Sequence, residues 1–286
     1  MAKRKSGSSL ARRNWEKLKK NKLAMIGLSI MLIMILASIF APLITSYKPG
    51  EINLSDKYHS PSGSNLFGTD QLGRDILSRI LFGGRISMFV GLSGALGGAM
   101  IGIILGCFCG YYGGWLDKTV LRISEVFMTF PQIMLVLILV VFVGQGLYNL
   151  ILIFWITGWM GTYRLVRGRF FSLREENYVD ACKAFGIKDR SIMFKHILPN
   201  TLGPVIVSIT LSTAGYILQE SGLSFLGLGV PSSFPTWGNI INAAKAIEVV
   251  QNYPWLWLPP GIAISLFVLG VNFFGDGLRD VLDPNQ

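Results

Sequence analysis

Residues that could do covalent chemistry are few in this chain and poorly placed for it. Only His59 and His196 could exchange protons near neutral pH, and no carboxylate cluster stands where it could use either one. There is no H-E-x-x-H pair to hold a catalytic zinc and no G-x-S-x-G turn to expose a nucleophilic serine. Gly68 and Gly73 do not make a phosphate cradle, because no G-x-x-x-x-G-K-[ST] occurs anywhere in the chain. Cys107, Cys109 and Cys182 form neither a disulfide framework nor a zinc spacing, and the first two fall in an apolar run where small residues pack. The chain is therefore expected to be no enzyme and to hold no metal or cofactor of its own.

What the polar residues can do is recognise and pair. Asp70, Arg74, Asp75 and Arg79 recur at helical spacing in an otherwise apolar stretch, which predicts an interfacial helix with internal ion pairs. Glu125 lies one turn after Arg122 and is expected to pair with it. Glu220, beside Gln219, closes an apolar run just before a glycine-rich loop; it reads as a hydrogen-bonded loop anchor or as a contact for a positive group on a solute. Ser208, Thr210, Ser212 and Thr213 lend the same run a polar content suited to a translocation path. Ser208, Ser212, Gln219 and Glu220 are the candidates for touching a solute, although Ser and Thr also bond their own helix backbone.

The densest polar pattern runs from Ser172 to Pro199, between two apolar segments. Ser172 with Glu175 reads as a capping box, and Gly186 falls where a helix end needs a left-handed residue, so the spacing predicts a helix over 173–185. Tyr178, Ala181, Cys182 and Phe185 make one apolar stripe, with Glu175, Glu176, Asp180 and Lys183 mostly off it. A helix this short gains little alone and needs a partner face to bury against. A second helical piece is expected over 189–197, ended by Leu198-Pro199.

These groups must be held by membrane-spanning elements, because hydrophobic residues make up 51% of the chain, charged residues only 15%, and the mean hydropathy is +0.50. Six segments are apolar enough to cross ~30 Å of hydrocarbon: 23–44, 86–110, 126–144, 148–166, 201–223 and 255–275. Backbone amides in hydrocarbon must be satisfied within their own segment, so the expected class is an all-α integral membrane protein of six transmembrane helices. The organisation read from this is a basic N-terminus (1–22), a first anchor (23–44), an outer loop (45–85), a five-helix core (86–276) containing the 172–199 loop, and a short tail (277–286). With both termini and the 172–199 loop inside, the inner side holds twenty Lys and Arg against six outside, a strong positive-inside bias. The net charge of +10 is thus topological, and the basic N-terminus suits anionic lipid rather than nucleic acid. Gly94, Gly98, Gly102, Gly106 and Gly110 form a ridge on one helix face where a second backbone can approach, with a solute groove along it as the lesser alternative. Pro131 and Pro204 are expected to kink their helices.

Asp180-Ala181-Cys182, Gly186 and the closing Leu198-Pro199 resemble the EAA loop of ABC-importer membrane subunits. The family pattern has Glu, Ala, Ala at 180–182 and an aliphatic residue at 196, where this chain has Asp180, Cys182 and His196. Two further strings are similar to dipeptide and oligopeptide importer permeases, the C-type partner in particular. One is Gly68-Thr69-Asp70, Leu72-Gly73-Arg74-Asp75, Ser78-Arg79 and Gly84-Arg85; the other runs from Glu220 to Gly229 and on to Pro231 and Trp237-Gly238. The resemblance implies a type I importer permease fold in a bacterial or archaeal inner membrane, with peptides as cargo and nickel or another small solute as the alternative. It also implies a second homologous permease, two ATPase subunits that use ATP and magnesium, and an extracytoplasmic binding protein. Residues Glu176, Tyr178, Asp180, Ala181, Cys182, Phe185, Gly186, Leu198 and Pro199 would then make the ATPase-coupling loop. The reading from another class is a channel or secondary carrier that works without ATP, for which mid-membrane charges or paired broken helices would be expected.

Overall fold

The computed structural model describes residues 10–282; the first nine residues, with part of the basic N-terminus, and the last four of the tail lie outside the described part. The regular secondary structure of the described residues is helical, apart from one isolated bridge between Thr69 and Asp75. In chain order the helices are α1 (Leu10–Lys20), α2 (Lys22–Ile39), α3 (Ala41–Ile44), α4 (Ile76–Tyr112), α5 (Gly114–Met128), α6 (Gln132–Val143), α7 (Leu147–Leu173), α8 (Asn177–Ala184), α9 (Asp189–Ser191), α10 (Leu198–Phe225), α11 (Trp237–Asn242), α12 (Ile247–Asn252) and α13 (Leu258–Leu282).

Four continuous helices are long and apolar enough to cross a membrane: α2, α4, the unbroken run Asp189–Phe225 that contains α9 and α10, and Pro254–Leu282. The expected third segment, 126–144, is not one helix. It breaks at Thr129–Pro131, and α5 and α6 meet at 92°; counted as one span they make a fifth. The cause is local: Pro131 lacks an N–H, adopts an extended ψ of 128°, and pushes the residue before it away from helical geometry. At twelve residues α6 is ~18 Å long, too short to cross alone. The fourth expected segment is α7, long enough at 27 residues, but Gly158, Gly161, Thr162, Tyr163 and Arg164 dilute its second half. The second begins earlier than expected, since α4 runs 37 residues from Ile76, about 55 Å.

The glycine ridge packs α4 against α7, the most extensive helix pair in the bundle. A Cβ at Gly98 would stand 3.0 Å from the backbone of Gly158, and one at Gly110 would stand 2.5 Å from Phe170 Cβ. These contacts fill the face that the lesser alternative assigned to a solute. Gly27 of α2 seats against Gly270 of α13 by the same means, a Cβ there falling 2.5 Å from the Gly270 carbonyl oxygen. Glycine faces are the usual route to close helix approach in lipid, where no hydrophobic force drives helices together.

The outer segment corrects a second expectation. Residues 70–75 are not helical: Gly68 and Gly73 take φ of +70° and +71°, and the helix starts only at Ile76, capped by Asp75 Oδ2, which accepts the Ser78 N–H at 2.7 Å. Asp70 is buried at 2% exposure and organises a turn, accepting the N–H groups of Leu72 (2.8 Å) and Arg74 (3.1 Å) and pairing with the Arg74 guanidinium at 2.7 Å. Arg79 points back to the same carboxylate at 3.8 Å. The charges recur at helical spacing, yet they fold a compact knot over the start of α4. A stack of Tyr58 on Tyr253, with ring centroids 4.3 Å apart, ties this knot to the segment before α13.

Candidate functional site

The 172–199 loop forms a short helix whose two faces do different work. Ser172 is not its cap, because α7 runs on through Leu173 and spends the first predicted turn; the remaining helix, α8, covers only Asn177–Ala184. Glu176 stands at the N-cap position but supplies no side-chain cap, its carbonyl accepting the Val179 N–H at 2.8 Å. The other end is as expected: Gly186 has φ +72°, its N–H bonds to the Lys183 carbonyl at 2.9 Å, and the Ile187 N–H bonds to the Cys182 carbonyl at 3.0 Å. Those two bonds are a Schellman motif, which requires the left-handed residue. Gly186→Val should strain it by about 1–2 kcal/mol. If the loop couples an ATPase to transport, as its resemblance to the EAA loop implies, the expected outcome is ATP hydrolysis with reduced solute uptake in membrane vesicles; uptake equal to wild type would refute it.

Val179, absent from the expected stripe, is fully buried, and Cys182 packs beside it on a cluster made by Val166, Phe170, Ile192, Met193 and Ile197. Tyr178, Ala181 and Phe185 face away, with Phe185 85% exposed. The predicted stripe is therefore two faces: Cys182 belongs to the anchoring side with Val179, and the other three are left uncovered. Asp180 pairs with Lys183 at 3.3 Å on the exposed side, where a solvated pair contributes under about 1 kcal/mol.

The second half of the loop does not stop at Pro199. Residues Ile192–Ile197 form a π-helix that leads directly into α10, the Leu198 N–H reaching back five residues to the Met193 carbonyl. Pro199 follows that π turn as the second residue of α10, inside the unbroken run Asp189–Phe225. The widened turn gives its ring room, and Asn200 Nδ2 donates to the His196 carbonyl at 2.8 Å. Leu198 packs partly against the buried cluster, so loop and spanning helix form one continuous body.

Above the loop, one face of α10 borders three cavities. Ser208 lines the first, of about 460 Å³, with Arg169 of α7 and Arg279 of α13. Ser212 borders the other two, of about 310 and 390 Å³, and Gln219 lines the larger of these. Ser208, Ser212, Gly215 and Gln219 recur every three or four residues and make a single stripe. Neither the Ser208 nor the Ser212 hydroxyl forms a hydrogen bond among the described residues, whereas the Thr210 and Thr213 hydroxyls donate theirs to the Ile206 and Ile209 carbonyls at 2.9 Å. Gln132 and Tyr216 border both of Ser212's cavities and were not foreseen, because Gln132 joins the stripe only through the break at Pro131.

Glu220 does not join that groove. It is fully buried on the adjacent, bundle-facing side of α10, accepting hydrogen bonds from Ser87 (3.1 Å) and Ser224 (2.7 Å), while Ser87 also accepts the backbone N–H of Trp237. Its bonds join α10 to α4 and, through Ser87, to Trp237 beyond the glycine-rich loop. Arg122 and Glu125 pair at 2.9 Å in the open. Asp117 of α5, which the sequence reading passed over, is gripped by Arg167 of α7.

Residues 102–286 match the family model of binding-protein-dependent transport system inner membrane components, and residues 9–61 match that of the N-terminal transmembrane domain of oligopeptide transport permease C. The chain is 44% identical over 275 residues to the dipeptide transport system permease protein DppC of Alkalihalophilus pseudofirmus, covering 96% of this chain and 90% of that one. It is 40% identical over 268 residues to the oligopeptide transport system permease protein OppC of Bacillus subtilis, covering 93% and 87%. A putative peptide permease protein of Brucella suis is 37% identical over 265 residues, covering 93% and 88%.

Proposed function

The chain belongs to the family of binding-protein-dependent transport system inner membrane components, and from that premise we propose that it is one of two homologous permeases in an ATP-driven importer of dipeptides or oligopeptides. The observation that carries this reading is the uncovered face of Tyr178, Ala181 and Phe185 on a helix whose back is packed into the bundle. An exposed aromatic pair on a rigidly held helix suits a groove on an ATPase subunit, since a docking element must transmit displacement as well as bind. Two ATPase subunits on the cytoplasmic side would use the ATP and magnesium, both termini of this chain lying on that side. An extracytoplasmic binding protein would deliver cargo to the opposite face.

The groove along α10 supports peptide as the cargo. Ser208, Ser212, Gln219 and Gln132 offer neutral hydroxyl and amide groups, which pair with a peptide backbone whatever its side chains. Alternating access would follow from ATP binding, which closes the ATPases and displaces α8 together with the continuous helix Asp189–Phe225. Moving that equilibrium cleanly from one side to the other requires about 5.5 kcal/mol of preference between nucleotide states.

Reconstitution in proteoliposomes with the partner permease, both ATPases and the binding protein tests this. Peptide accumulation that needs ATP and every component is expected; accumulation by this chain and its partner permease without the ATPases would contradict the reading. In the same assay Ser212→Leu, which fills the groove, should lower uptake about tenfold while the ATPases stay attached.

A further inference from the structure

Helix α5 lies between two joints. It follows Gly113 and begins at Gly114, with φ of +65° and +71°, and a side chain added at Gly114 would meet nothing within 4 Å. Its other end is the break at Thr129–Pro131. Between these two joints lies a rod of 15 residues, of which only Asp117 and Ser124 are buried. Ser124 spends its hydroxyl on the Leu121 carbonyl of its own helix, at 2.8 Å. Asp117 is therefore the principal polar grip on the rod: its carboxylate accepts both Nε and Nη2 of Arg167, the second at 2.6 Å, and the Tyr163 hydroxyl at 3.4 Å.

That grip is wired to the loop below. Arg167 and Arg174 lie against the ring of Phe171, at 4.6 and 4.3 Å from its centroid. Arg174, in the corner between α7 and α8, donates to the carbonyl of Tyr111 at 3.3 Å, and the Tyr111 hydroxyl donates to Asp189 at 2.7 Å, where the second half of the loop begins. At the opposite end of the rod, Phe127 and Met128, with Phe130 in the break, wall the 310 Å³ cavity that Ser212 and Gln132 share.

We infer that α5 is a hinged rod whose far end, Phe127, Met128 and Phe130, gates the groove, and that Asp117 and Arg167 are positioning residues passing the loop's movement into it. The inference rests on the importer reading. A bidentate, partly buried pair transmits displacement because its geometry is fixed at both ends. Two glycine and proline joints let the rod turn without unfolding. Apolar bulk at the break closes the groove when the rod swings in and opens it when the rod swings out.

The test uses the complete transporter with Cys107, Cys109 and Cys182 replaced by alanine and a single Phe130→Cys as reporter. A charged thiol reagent should label position 130 about tenfold more slowly in one nucleotide state than in the other. Adding Asp117→Asn should shrink that difference to under about twofold with the ATPases still bound, and Asp117→Glu should restore it, as a merely structural role would not require. Should Asp117→Asn fail to assemble, Arg167→Lys, which keeps the charge and loses the fork, is read in the same way with the same expectation. Labelling that ignores nucleotide in a transporter that hydrolyses ATP overturns the gate, as does an undiminished difference in the Asp117 and Arg167 variants. A preparation that retains no ATPase overturns the importer reading itself.

Discussion

Phe185→Asp is expected to release the ATPase subunits from an otherwise intact permease. The ring is 85% exposed at the end of α8, so the permease itself loses almost no packing when it goes. In the complex the same ring would be an aromatic anchor, and anchors of this kind are worth about 2–4 kcal/mol on truncation, or roughly 30- to 1000-fold in affinity. Aspartate adds the desolvation of a carboxylate to that loss. ATP-driven uptake should vanish and the ATPases should wash off the solubilised permease. Retention of ATPase at wild-type stoichiometry would remove α8 from the account. Val179→Asp should instead destabilise the permease before any question of docking arises, because Val179 is fully buried in the cluster that holds α8 in place.

Gly102→Leu should be as damaging, by a different route. A Cβ at this position would stand 2.6 Å from the Trp159 carbonyl oxygen and 2.8 Å from the Tyr163 nitrogen. Both are backbone atoms of α7, which cannot rotate aside as a side chain can. The two helices must separate along their whole ridge, from Gly94 against Phe154 to Gly110 against Phe170, and the cost should reach about 3 kcal/mol. Little folded protein is expected in the membrane, and thermal unfolding of what survives in mild detergent should come well below wild type. Gly161→Ala, where a Cβ meets nothing within 4 Å, serves as the control and should fold normally. Equal stability of the two variants would mean that the ridge is not what holds α4 to α7.

The sequence disclosed what depends on composition and local chemistry. The helical class, the left-handed Gly186, the close-packing glycines and the pairing of Arg122 with Glu125 each need only a hydropathy average, a φ preference or a neighbour one turn away. It misled where one period serves two purposes. Tyr178, Ala181, Cys182 and Phe185 share a helix stripe, but its width spans both the anchoring and the uncovered side of α8, and only packing on the Ile192 cluster separates Cys182 from the rest. Asp70, Arg74 and Arg79 satisfy helical spacing equally well as a turn, because Gly68 and Gly73 let the backbone reverse. Two prolines behave in opposite senses: Pro131 was expected to kink its helix and does, whereas Pro199 was expected to end one and does not. Pro131 breaks its segment by 92° with no further help, while Pro199 interrupts nothing, since a π turn ahead of it absorbs the missing hydrogen bond. Glu220 and Gln219 are adjacent in sequence and a helix rotates them about 100° apart, enough to put one in the core and the other in the groove. Asp117 and Arg167 are 50 residues apart, and no local pattern joins them.

The most direct test of the central claim is photocrosslinking from position 185. With a photoreactive phenylalanine analogue in place of Phe185, irradiation of native membranes should join this chain to a protein bearing a Walker A motif, identified by mass spectrometry. The same analogue at position 148 should give no such product; Tyr148 is 78% exposed and opens α7, at the end away from the loop. Efficient crosslinking at 185 to lipid alone, in membranes where the transporter is active, would contradict the assignment of α8 as the ATPase-docking helix.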